Sequence, residues 1–84
     1  MKVTVHEKEN SKVAVVRANG ILIGGVDDAL YLMAAVRHEH DCEKMVVDKA
    51  NISEAFFDLR SGLAGEILQK YTNYQMKLAI VGDF

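Results

Sequence analysis

Proline and tryptophan are missing from this chain, cysteine occurs once, and no apolar run is long. Without proline, nothing in the fold depends on a cis bond or a proline kink. The single Cys42 excludes an internal disulfide and a cysteine-only zinc site, and a lone thiol suits a reducing compartment. No stretch approaches the ~18 apolar residues of a membrane helix. The opening Met1-Lys2-Val3-Thr4-Val5 alternates, as a strand does and a secretory leader does not, so a cytoplasmic protein is expected. An excess of one charge is lacking too. Ten Lys and Arg stand against twelve Asp and Glu, a formal net charge of −2, which gives no global attraction to nucleic acid or anionic lipid.

What is present is 84 residues, half of them hydrophobic. That content makes a packed core and not a disordered chain, and the length allows one domain, residues 1–84. Lys2 to Lys8 and Lys12 to Arg17 read as strands joined by the polar turn Glu9-Asn10-Ser11, a hairpin. Ile21-Leu22-Ile23 extends or restarts an apolar segment before Gly24-Gly25. From Val26 the period becomes helical, with Ala29, Leu30, Met33 and Val36 recurring. Asp27 and Asp28 fall in the first turn, and Arg37, His38 and His40 in the last, each where the helix dipole favours that charge. Met45-Val46-Val47-Asp48 is apolar without alternation, the pattern of a strand covered on both faces. Ala50 to Phe57 reads as a loop, with a single helical turn after Ser53 as the alternative. A second helix follows with Leu63, Ile67, Leu68, Tyr71 and Tyr74 on one stripe, and Met76 to Phe84 supplies a last buried strand. The expected fold is α/β: a small mixed sheet in the order β-β-α-β-α-β.

Ligands of open α/β sheets gather at strand carboxyl ends and the helix starts facing them. Asp48 and Asp83 close two strands, and Asp58 is placed to cap the second helix. Ser61, Gly62 and Gly65 fall in the opening turns of that helix. Two glycines there cost ~1 kcal/mol each against alanine, so something is expected to approach the backbone closely. The plainer reading is tight packing of the helix on the sheet. The sharper one makes Ser61 a modifiable hydroxyl, its phosphate meeting free amides with Arg60 alongside. His38 and His40 are two apart, so on a helix they point away from each other and share no metal. Cys42 reads as a small buried side chain, and Phe56-Phe57 as a plug into the core.

Val46-Val47-Asp48, then Phe57-Asp58 and Ser61-Gly62-Leu63, resemble the central segment of STAS domains, the fold of anti-sigma-factor antagonists. Leu59 and Arg60 stand where that motif has a serine. The resemblance implies a STAS-like sheet and makes Ser61 the match to a serine that a partner kinase phosphorylates. A longer likeness is to the bacterial family called domain of unknown function 4180. It is carried by Phe56-Phe57-Asp58-Leu59, by Gly62-Leu63-Ala64-Gly65-Glu66-Ile67-Leu68-Gln69-Lys70 and by Lys77 to Phe84. That resemblance implies members continuing past this end with another helix and strand. An edge or face is then expected to stand open here, covered by a second copy as a homodimer or by domain swapping.

The favoured function is a protein-interaction or regulatory module that meets a protein partner through Asp48 to Gly65, with Ser61 as switch and no cofactor, metal or catalytic residue. The alternative is a small-molecule or phosphoester enzyme in which Asp48, Asp58 and Asp83 hold a divalent cation. A purely structural homo-oligomer is a third reading.

Overall fold

The computed structural model describes residues 1–83; Phe84, assigned above to the last strand, lies outside the described residues. Lys2–Lys8 (β1) and Ser11–Arg17 (β2) pair antiparallel with Lys8 opposite Ser11. Glu9 takes a left-handed backbone, φ 57°, to make the tight connection. Val26–His40 (α1) follows with Asp27 and Asp28 in its first turn and the three basic residues in its last. The Asp28 carboxylate accepts the Gly24 N–H at 2.9 Å, fixing the entry to the helix. Asp41, in left-handed conformation, closes the other end.

Lys44–Asp48 (β3) lies parallel to β2, and Lys77–Val81 (β4) parallel to β3, giving the sheet order β1-β2-β3-β4. Between β3 and β4 come a 3-10 turn Lys49–Asn51, a short helix Glu54–Phe57 (α2), a second 3-10 turn Leu59–Ser61 and the helix Leu63–Asn73 (α3). The mixed α/β sheet is present as expected; the order of elements gains one short helix, α2, between β3 and α3.

Register assigns each side chain to a face. Val3, Ala14 and Val16 line up with Met45, Val47, Leu78 and Ile80 on one side. Both crossovers step the same way across the sheet, so right-handed connections set α1 and α3 on that one side. The helices touch each other there, and the buried Tyr71 hydroxyl of α3 donates to the Ala29 carbonyl of α1 at 2.6 Å. Ala29, Leu32, Met33, Val36, Ile67 and Tyr71 meet the sheet residues in one core.

Three expectations are corrected. The apolar strands are not covered on both faces: Val46 is half-buried and Ala79 exposed, because no element crosses behind the sheet among the described residues. The last strand is not a buried one: β4 ends at Val81 with Asp83 beyond it, has three of its five residues exposed and lies at the edge of the sheet among the described residues. Along α3, Leu68 and Tyr74 face outward, and Ile67 and Tyr71 carry the buried stripe. No described helix is long and apolar enough to cross a membrane.

Candidate functional site

The segment after β3 is anchored before it is exposed. The Asp48 carboxylate accepts the Ala50 N–H at 2.9 Å and caps the first 3-10 turn. That turn delivers Asn51 into the interior, 5% exposed. Its Nδ2 donates to the Ala18 and Gly20 carbonyls at 2.8 and 2.7 Å, and its own carbonyl accepts from Leu22 and Ile23. Asn51 thereby ties the chain after β2 to the chain after β3. The apolar Ile21–Ile23 segment becomes a single parallel bridge, Ile23 to Ile52, and not a strand.

A second turn then projects outward. Asp58 accepts the Arg60 N–H at 3.0 Å, and its two oxygens meet Arg60 Nε and a terminal guanidinium nitrogen, each at 3.2 Å. The side-chain bond, then the backbone bond, hold the Asp58 carboxyl below the usual carboxylate range. Ser61 is exposed, but its hydroxyl is engaged: it faces the Ala55 and Asp58 carbonyls as donor and accepts the Leu63 N–H at 3.1 Å. Asp58 therefore caps the 3-10 turn and not α3, whose N-cap is Gly62. None of the hydrogen bonds in this turn reaches Asp48. Asp48 and Asp83 instead share a groove of ≈ 560 Å³ with Ile21, Ile52, Glu54 and Phe57. Among the described residues no three His, Cys, Asp or Glu side chains are grouped to hold a metal ion, so Asp48, Asp58 and Asp83 form no common cation site.

The two glycines differ. Gly62 has φ +70°, a left-handed backbone that disfavours any side chain. Gly65 lies on the exposed face of α3 with nothing within 4 Å of the position a Cβ would take, so neither tight packing on the sheet nor close approach by this chain explains it. Gly65→Ala is expected to stabilise the protein by about 1 kcal/mol through helix propensity, and Gly62→Ala to destabilise it by roughly 1–2 kcal/mol. Thermal melts of both variants check the pair, and equal signs would contradict these backbone assignments.

Residues outside the expected site matter as much. Leu59, which the sequence marks only through the two family resemblances, is 96% exposed. Phe56 plugs the core as expected, while Phe57 stands exposed against its edge, ring centres 5.1 Å apart. Cys42 is the small buried side chain expected, its thiol donating to the His40 carbonyl, and burial pushes its pKa up. No local signal marks Asn51; an asparagine in a loop announces nothing about where its amide points.

A four-stranded mixed sheet with two long helices on one face defines a small two-layer α/β domain. The chain belongs to the family described as Domain of unknown function (DUF4180), which it matches over residues 8–84. The likeness carried by Gly62–Lys70 and the last strand is thus borne out. No curated protein and no solved structure matches the chain significantly.

Proposed function

We propose that the chain is a protein-interaction module of regulatory type, meeting its partner through the segment from Asp48 to Gly65. The observation behind this reading is Leu59, a leucine 96% exposed on a turn that the Asp58 and Ser61 side chains hold in shape. A turn already ordered loses little entropy on binding, and a projecting leucine supplies apolar area for a partner's pocket. Phe57 adds an exposed ring on the same segment.

Ser61 is the switch of this reading. A phosphoryl group taken from a nucleoside triphosphate by a kinase replaces the hydroxyl proton and removes the donor. Phosphate oxygens then face the Ala55 and Asp58 carbonyls, which repel them, and compete with the Asp58 carboxylate for Arg60. The turn presenting Leu59 reorganises. The likeness to STAS domains is part of the same proposal, supported by an Asp-ended strand followed by a helix that opens after Ser61-Gly62. Self-association is also proposed, since among the described residues β4 is an edge strand whose outer backbone groups suit pairing with a second copy. The carboxylate enzyme gains no support, as Asp58 is paired with Arg60 and Asp48 caps a turn.

A photoreactive leucine analogue at position 59, introduced in the native host, tests the reading. One discrete cross-linked protein is expected. Leu59→Asp should abolish the partner's binding while shifting stability by no more than about 0.5 kcal/mol, as an exposed substitution does. Absence of any discrete product removes the proposal, and mass spectrometry finding Ser61 unmodified under every growth condition removes the switch.

A further inference from the structure

The sheet face turned away from the helices has the wrong chemistry for water. Register puts Val15, Val46 and Ala79 side by side across three parallel strands, with Thr4 continuing the row on β1 and Val13 next to Val15 along β2. Parallel strands are almost always covered on both faces, because their apolar side chains point both ways. Here the three valines are half-buried by one another and Ala79 is exposed. A shallow groove of ≈ 640 Å³ runs over Val15, Val46 and Val81 at the carboxyl ends of the strands.

Charge says what covers it. The same register places Lys2, Lys8, Arg17, Lys44 and Lys77 on this face, against one carboxylate, Asp48. A chain of net charge −2 thus concentrates half of its ten Lys and Arg on one side of one sheet. Two copies stacked through this face would set cation against cation, which disfavours a second copy. Nucleic acid would be drawn by the charge, but among the described residues no Phe or Tyr lies on the face to stack a base, only the His6 imidazole at its β1 side, and the valines would go unused. An apolar strip between basic borders matches the complement of an amphipathic helix whose stripe is edged by Glu and Asp.

We propose that this open face docks an acidic amphipathic helix of a partner protein, which forms a third layer as α1 and α3 form the second. The helix lays its apolar stripe over Val13, Val15 and Val46, and its acidic borders meet Arg17, Lys44 and Lys77. This surface is separate from the turn that presents Leu59.

The probe is a synthetic helical peptide with a leucine stripe bordered by glutamates, alongside a twin with lysine in place of every glutamate. Fluorescence anisotropy with the 84-residue chain should show saturable binding of the glutamate peptide, at least about tenfold tighter than its twin and weakening as salt screens the borders. Methyl NMR should move the Val13, Val15 and Val46 signals. The double variant Arg17→Glu/Lys77→Glu, both exposed positions, should reverse the preference, and Val46→Asp should abolish binding of either peptide. Equal binding of the two peptides overturns the proposal. So do signal changes confined to the Phe57–Leu59 turn, tighter binding of a single-stranded oligonucleotide to this face, or valine signals that move with protein concentration alone. A failure of the Leu59 cross-link leaves these readouts untouched, so the two proposals stand or fall separately.

Discussion

Asn51→Ala is expected to lower stability by about 3 kcal/mol. Its amide makes two hydrogen bonds, to Ala18 and Gly20, worth roughly 1 kcal/mol each, and their loss orphans carbonyls that cost ~1–3 kcal/mol where they stay buried. A domain of this length has roughly 4–13 kcal/mol in total, so the loss is a large share. The melting temperature should drop by roughly 12–24 °C. The urea midpoint should fall with its slope unchanged, since the surface exposed on unfolding stays the same. A decrease below about 1 kcal/mol would mean that water reaches the two carbonyls, and the anchor would lose its standing.

Tyr71→Ala should be of similar or greater size, roughly 3–5 kcal/mol, because a buried ring between α1 and the sheet leaves a cavity that the helices cannot close. Tyr71→Phe keeps the ring and removes only the bond to Ala29, about 1 kcal/mol. Titration separates the two contributions. Burial raises the Tyr71 pKa, so the folded protein holds the phenolic proton where the unfolded chain releases it. The stabilisation is complete below about pH 10, the unfolded value, and declines above it by ~1.4 kcal/mol per pH unit until the folded group itself titrates. Tyr71→Phe should therefore be less stable than the parent at neutral pH and lose less on going above pH 10. Parallel alkaline losses in both proteins would show that Tyr71 ionises freely in the native state.

Much of the frame was legible along the chain. The hairpin, α1 with its charged ends, β3 ending at Asp48 and the alternation of the four strands with the two longer helices follow from periodicity and from charge at helix ends, which are local properties. The family resemblance was legible for the same reason, in a contiguous run from Gly62 to Lys70. The site was less so. Asp58 has the chemistry of a helix cap, yet which turn it caps depends on where Gly62 goes left-handed, and Gly62 sends the cap to the 3-10 turn. Leu59 looked like a missing serine, because exposure is a property of the surroundings. Leu68 and Tyr74 fit the α3 stripe by spacing alone, but the core beneath that helix takes up Ile67 and Tyr71 fully and Leu63 and Ala64 in part.

By itself, the order of residues determined where the strands and the two longer helices fall, and that they build a small mixed α/β fold, since backbone preference and apolar period act over a few neighbours. Tertiary structure alone decided that α1 and α3 share a face, that β4 is an edge among the described residues, and that Asn51 turns inward while Leu59 turns out. It also gathered lysines and an arginine from all four strands onto one surface. Those outcomes depend on strand order and crossover hand, which bring distant residues together, and no local pattern encodes them.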